Sequence, residues 1–334
     1  MNLPVYITDV NAYLPDAVLR VEDAIAEGNY SKDRAHVDGF SSLRIETELS
    51  SPEMAFKAAE PLVSQEDRSN TNSLFFAHIH RHGYKHLWPV ASYLQKRLKL
   101  ANSTRVMSIN HGCNGLFLAV SLAYDLISHG APGNHIVIGA DRFSESGFDR
   151  LNSDLGTLYG DCATAVRLSA EPKGYRIRFM GLETEAALEA MYRDPYAAPE
   201  SPSDHDIKSP KKAFLSQHGR GEFNSLFVPA LKRLRNRILE TNQLDKQPAK
   251  YVVYPNVGAG LSAQLYDGAF SDLAHQDHWE FGRSVGHTGT SDQFLGFWDL
   301  HRKGALSCGD QVLLIGAGNG LSLSAILLEK VQCS

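Results

Sequence analysis

The chain has 334 residues, 43% apolar and 21% charged, the balance of a globular protein with enough length for a sizeable core. A net charge of −5 argues against nucleic acid as a partner, and no uncharged apolar run is long enough to span a membrane. The four cysteines show no CxxC pair or disulfide spacing, and Met1 to Pro15 lacks the basic and apolar regions of a secretion signal, so a cytoplasmic location is expected.

Leu3 to Val10 is apolar enough for a buried strand, and Tyr13-Leu14-Pro15 closes it. Residues 22 to 50 are polar and weakly patterned. Ser51 to Val63 carries a Ser cap, Pro at the first helical position and Glu behind it, which predicts a helix. Ser73 to Ile79 reads as an apolar strand running into His78, His80, His82 and His86. Alternate histidines on a strand can share a metal, but no further ligands stand at zinc spacing. The cluster therefore reads as a polar strand end, and no metal or other cofactor is expected. Leu87 to Leu100 is a predicted helix with basic residues late, where the dipole favours them.

Arg105 to Ala140 then gives a short strand, a tight turn, a helix and a second strand. The turn, His111-Gly112-Cys113-Asn114-Gly115, sets glycines around a thiol, and the helix that follows is apolar on every face, which predicts burial all round. Cys113 is thus expected at a helix start, where free N–H groups and the dipole favour a thiolate; the plain alternative is a small core cysteine. Glu171 to Arg220 is the least patterned part, and its Ser/Pro/Lys-rich run (SPSDHDIKSPKK) predicts a surface loop at a pocket mouth. Glu222 to Thr241 predicts an amphipathic helix. Its Lys232, Arg233, Arg235 and Arg237 form either a solvated face or a dock for an acidic protein.

Ser284 to Ala317 repeats the unit that holds Cys113. Cys113 precedes Gly130 by the same interval as His287 precedes Gly304, and both units end in Ile-Gly-Ala. Such self-similarity predicts a duplicated fold. A pseudo-two-fold arrangement would bring Cys113 and His287 together as nucleophile and base from equivalent helix starts.

These segments resemble the thiolase-fold, ketoacyl synthase III-like enzymes. Asn110 to Phe117 is similar to the family's nucleophile turn, and Leu158 to Leu168 (LYGDCATAVRL) to its Phe-Gly-Asp-Gly-Ala strand. Val285 to Asp292 and Gly316 to Leu321 (GAGNGL) fall where it keeps its third catalytic loop and its oxyanion loop. The resemblance implies an α/β fold of thiolase-like duplicated αβαβα layers. Its halves are expected at 1–170, holding the nucleophile, and 226–334, holding the base and oxyanion loops, with an insertion at 171–225. The family's second-half histidine is here Asn256, after Tyr254-Pro255, and its Gly-Asn-Thr asparagine is here His287. The segment where the family grips coenzyme A offers only Gly39 to Arg44, with no Trp, so a carrier-protein thioester is expected as donor ahead of coenzyme A.

With Asp292 five residues after His287, the set Cys113, His287 and Asp292 reads as nucleophile, base and orienter for acyl transfer. Asn256 is expected to support this set by positioning. The backbone N–H groups of Cys113 and Asn319 would hold the oxyanion. The helix start is expected to lower the imidazole pKa and keep His287 a neutral base. Asp292 can otherwise be read as an ordinary first-turn helix acid. The resemblance extends to a branch of secondary metabolism, including antibiotic biosynthesis, that transfers an acyl group to a hydroxyl or amine without carbon–carbon bond formation. The expected protein is such an acyltransferase and a homodimer. The alternatives are a decarboxylative condensing enzyme and a non-catalytic thiolase-fold partner subunit.

Overall fold

The computed structural model describes residues 3–79, 88–144, 148–193 and 207–331. Ten strands carry it: β1 Tyr6–Tyr13, β2 Thr71–Ala77, β3 Arg105–Ile109, β4 Asn134–Asp141, β5 Cys162–Ser169, β6 Tyr175–Thr184, β7 Ala249–Val253, β8 Ala274–Asp277, β9 Gln311–Gly318 and β10 Ser322–Lys330. Their order is β8-β7-β9-β10-β6-β1-β5-β4-β2-β3. The two halves mirror each other strand for strand. In the first, β2 pairs in parallel with β3 and β4, while β5 lies antiparallel to β4 and β1. In the second, β7 pairs in parallel with β8 and β9, while β10 lies antiparallel to β9 and β6. Only Tyr6–Arg176 and Ile7–Tyr175 link the halves through β1 and β6, so the sheet is two five-stranded sheets joined at one corner.

The helices complete five layers. Helix α1 (Ser51–Ala59) begins with the Ser50/Glu53 capping box, and with α2 (Val90–Arg97) it covers the outer face of the first sheet through Met54, Ala58 and Leu94. Helix α3 (Gly115–Ser128) and helix α5 (Asp292–Arg302) lie between the sheets. There Phe117 meets Phe294 edge-on at 5.3 Å, one ring from each half. Helix α4 (Lys208–Thr241) covers the second sheet through Phe227, Leu231, Leu234 and Ile238, and is broken at Gly219, whose φ of 77° lies in the left-handed region. The apolar pattern that made α3 and α5 legible thus has a cause: each is pressed between two sheets. The duplicated thiolase-like α/β architecture is the observed fold.

Four expectations need correction. Glu171 to Arg220 is not a loop throughout, because Tyr175–Thr184 is strand β6 and α4 begins at Lys208. Arg176 and Arg178 broke the apolar run, yet Tyr175, Ile177 and Phe179 alternate with them and face the interior. Helix α3 is not buried all round, since Leu118, Leu122 and Leu126 remain partly open on one side. The arginines of α4 are neither a plain solvated face nor a free dock: Arg233 pairs with Glu183 and Glu185, Arg235 with Asp272, and Arg237 with Glu183. Finally, Cys308 is disulfide-bonded while Cys113 and Cys162 are free, so cysteine spacing did not exclude a disulfide. No helix among the described residues is long and apolar enough to cross a membrane. Of the histidine cluster, His80, His82 and His86 lie outside the described residues, and no metal-ligating group of three appears among those described.

Candidate active site

Strand β3 ends at Ile109, and the chain must reverse sharply to enter α3. Gly112 makes the turn with φ 54°, and a Cβ there would stand 2.9 Å from the Asn319 backbone nitrogen, so only glycine lets the nucleophile turn meet the Gly318–Gly320 loop. Asn114, fully buried at the N-cap of α3, pins the turn from below. Its Nδ2 donates to Ser322 Oγ at 3.1 Å and its Oδ1 accepts from Ser324 Oγ at 2.5 Å, tying the turn to β10 of the other half. Cys113 is left half-buried, facing a cavity.

His287 arrives on the equivalent turn before α5. Its backbone N–H donates to Leu158 O at 2.7 Å and its carbonyl accepts from Gly160 at 3.0 Å, so the signature strand LYGDCATAVRL fixes the histidine's backbone. The imidazole Nε2 lies 3.0 Å from Cys113 Sγ and Nδ1 lies 2.7 Å from Asp292 Oδ2. Asp292 is fully buried and saturated: Oδ2 also accepts from the Asn256 N–H at 2.6 Å, and Oδ1 accepts from the Thr288 N–H at 2.9 Å and hydroxyl at 3.3 Å. It is therefore no ordinary helix acid; its donors fix the carboxyl group against the imidazole.

The expected neutral histidine is overturned. Burial alone would lower the His287 pKa, but the Asp292 carboxylate and a Cys113 thiolate, each hydrogen-bonded to the ring, raise it well above the ordinary value. Two charges in direct contact outweigh a helix end. The contact of His287 Nε2 with Cys113 Sγ and of Nδ1 with Asp292 is the geometry of cysteine–histidine nucleophile sites.

Asn256 is brought to this cluster by its main chain and not by its amide. While its N–H holds Asp292, its side-chain Nδ2 donates to Gly286 O at 3.1 Å. The amide does not line the Cys113 cavity. Asn319 does, together with Gly318, on the wall next to the nucleophile.

The cavity has a volume of about 450 Å³. Cys113 and His287 stand at one side; Met191, Leu215, Phe227, Leu261, Leu265 and Leu321 supply apolar wall. Tyr159 and Tyr266 add buried aromatic faces, and the Tyr159 ring sits edge-on to His287 at 5.3 Å. The Gly39 to Arg44 segment is committed elsewhere: Arg44 donates to the carbonyls of Pro15 and Asp16, and Phe40 packs on Trp279.

Family models match both halves of the chain. The model of 3-oxoacyl-(acyl-carrier-protein) synthase III matches residues 107–186, and that of its C-terminal region matches residues 239–330. The chain belongs to the ketoacyl synthase III-like family of thiolase-fold enzymes. A family member from Streptococcus agalactiae serotype III (strain NEM316), a beta-ketoacyl-(acyl-carrier-protein) synthase III, is 22% identical over 97% of this chain and 98% of its own. The solved structure of ChlB3, an acyltransferase, is similar with a TM-score of 0.88 at 26% identity, covering 99% of this chain and 98% of that one. The 3-oxoacyl-(acyl-carrier-protein) synthase III of Aquifex aeolicus VF5 superposes with a TM-score of 0.74 at 20% identity, over 97% and 99% of the two chains.

The structure thus assembles Cys113, His287 and Asp292, with Asn319 beside them and Asn256 behind them. Sequence reading missed Asn114, Asp154, Tyr159 and Lys211. Asn114 had a signal, a polar residue inside a glycine-flanked turn at a buried helix start. Lys211 had none, since its run looked like loop.

Proposed function

We propose that the chain is an acyltransferase that takes an acyl group from a thioester onto Cys113 and passes it to a hydroxyl or amine. The observation that carries this reading is the direction of the Asn256 amide. A condensing enzyme needs two side-chain donors on one thioester carbonyl, and here one of the two, Asn256, is turned onto Gly286 O. The other, His287, is instead held between a thiol and a carboxylate, the geometry of a nucleophile, base and orienter.

The steps follow from the contacts. The Cys113 thiolate attacks the donor carbonyl, and the oxyanion is held by the N–H groups of Cys113 and Asn319. The tetrahedral intermediate collapses, the donor sulfur leaves, and the His287 imidazolium gives it a proton. The product thioester on Cys113 carries no charge, so the thiolate's contribution to the raised His287 pKa disappears. The neutral imidazole, its Nδ1–H held by Asp292, accepts the acceptor's proton at Nε2 as the oxygen or nitrogen attacks. Collapse returns the Cys113 thiolate beside the imidazolium. A carrier-protein or coenzyme A thioester serves as donor, with natural-product biosynthesis as the setting. The edge of β3, unpaired among the described residues, and the partly open Leu118, Leu122 and Leu126 strip fit a homodimer.

The deciding assay supplies a malonyl thioester and an amine or alcohol acceptor. Covalent malonyl on Cys113, absent in Cys113→Ala, followed by intact malonyl ester or amide, is the expected result. Carbon dioxide released in step with product would sink the proposal in favour of condensation.

A further inference from the structure

The Cys113 cavity contains an ion pair that the chemistry above does not use. Lys211 Nζ donates to Asp154 Oδ1 at 2.7 Å and Oδ2 at 3.0 Å, and both residues line the cavity. Asp154 is saturated: it also accepts from the Leu155 N–H at 2.7 Å and from the Tyr159 hydroxyl at 2.8 Å. Lys211 is not. An ammonium has three donors, and Asp154 is its only hydrogen-bond partner among the described residues; its other contact is the Tyr192 ring, 5.2 Å away. Burial disfavours the ammonium, but Tyr192, Asp154 and Cys113 outweigh it and hold Lys211 charged. Removing two charges from water costs more than their attraction returns in most settings, so such a pair adds little to stability.

We propose that Lys211 is a specificity-determining residue, donating a hydrogen bond to an oxygen carried by the acyl group while that group occupies the cavity. This deepens the acyl-transfer reading and rests on it. The chemistry of the oxygen follows from the pair. Lys211 and Asp154 together are neutral, so the site offers a donor without net positive charge. A second carboxylate would face Asp154 across the ammonium, whereas a hydroxyl or keto oxygen accepts without that repulsion. The surrounding faces of Tyr159, Tyr192, Phe227 and Tyr266 favour a flat apolar body behind that oxygen. The substrate class is therefore a compact acyl group, ring-bearing or similarly broad, with one neutral oxygen away from the thioester.

The test measures acylation of Cys113 by intact-protein mass spectrometry, with no acceptor present. The donors are pantetheine thioesters of benzoate carrying a hydroxyl, a methyl or a carboxylate at each ring position in turn. The expected result is one hydroxyl isomer with a second-order acylation rate constant about 10–100-fold above that of its methyl isostere, the worth of a hydrogen bond to a charged donor. The carboxylate isomer should fall below that hydroxyl isomer. In Asp154→Asn/Lys211→Met, which removes both charges together, the hydroxyl-to-methyl ratio should fall to about one. Equal rates for hydroxyl and methyl at every position in the wild-type enzyme would overturn the inference without need of any variant, as would a ratio unchanged in the folded double variant. A carboxylate isomer faster than every hydroxyl isomer would also overturn it. Failure of every thioester, malonyl included, to label Cys113 would remove the acyl-enzyme reading itself and this inference with it.

Discussion

Asp292→Asn tests the site where its geometry is most tightly specified. The carboxylate accepts four hydrogen bonds, two from the backbone N–H groups of Asn256 and Thr288, one from the Thr288 hydroxyl and one from His287 Nδ1. Asparagine keeps one oxygen and presents N–H groups where the other stood. If the oxygen faces Thr288, the amide donates to His287 Nδ1, and the ring's proton is forced onto Nε2. That nitrogen then cannot accept a proton from the acceptor. If the oxygen faces His287, the amide is driven against the Thr288 N–H, and the turn that carries His287 must shift. Either way about two charge-assisted hydrogen bonds are lost, worth about 1.5–3 kcal/mol each.

Transfer from acyl-Cys113 should therefore slow by ~10⁴-fold, about 5 kcal/mol of barrier, as expected when the orienting acid no longer fixes the base's tautomer. The assay isolates acyl-enzyme, mixes it rapidly with acceptor, and follows loss of the acyl mass. Acylation itself is measured separately, together with its pH dependence. Because Asp292 helps raise the His287 pKa, the variant's imidazolium should give up its proton at lower pH than the wild type's. A folded Asp292→Asn enzyme that transfers within about tenfold of wild type would refute the orienting role.

Three further outcomes are expected. Gly316→Ala should cost about 1–3 kcal/mol and slow Cys113 labelling, because a Cβ there collides with Asn114, Ser324 and Phe117 beneath the nucleophile turn; thermal unfolding and mass spectrometry check both. Burial pushes the His135 pKa down to about 4, so the folded state binds fewer protons than the unfolded one between that value and the ordinary 6.5. Stability is then fully present above pH 6.5 and falls as pH drops through the window, by about 2.5 kcal/mol at pH 4.5; urea unfolding of wild type against His135→Asn at both pH values should show that difference, and parallel pH dependences would count against it. Met107, half-exposed on the edge strand of the described sheet, should lie in the homodimer contact, so Met107→Lys should weaken the dimer in sedimentation, and a wild-type monomer at micromolar concentration would remove that proposal.

The duplicated fold was legible because its signals are local. Gly-flanked turns, an apolar helix and a strand ending in Ile-Gly-Ala occur twice at the same spacing, and each maps to the same place in its half. The meeting of Cys113 and His287 was legible for the same reason. What was not legible came from tertiary partners. Strand β6 hid behind arginines on its outer face. Lys211 looked like loop because only the folding of its run into the first turn of α4, against Asp154, makes it cavity wall. The direction of the His287 shift was misread because the helix end is local, while the contacts that outweigh it, with Asp292 first and Cys113 second, exist only once the turns have packed.

The exchange of His and Asn between sites was visible in sequence, but its meaning depends on which way Asn256 points. Gly282 decides this. It has no side chain, and a Cβ there would collide with Asn256 Oδ1, so the amide fills the space Gly282 leaves and bonds back to Gly286. That space is closed to a larger ring. Asn256→His, which restores the family's histidine at its own site, should therefore not restore the family's condensing pair. The imidazole must push away from Gly282 and Gly286, dragging the N–H that holds Asp292 and loosening His287. Transfer should fall, and no carbon dioxide should leave a malonyl thioester above the rate without enzyme. Decarboxylation by Asn256→His alone would show that residue identity, and not the packing at Gly282, separates the two chemistries.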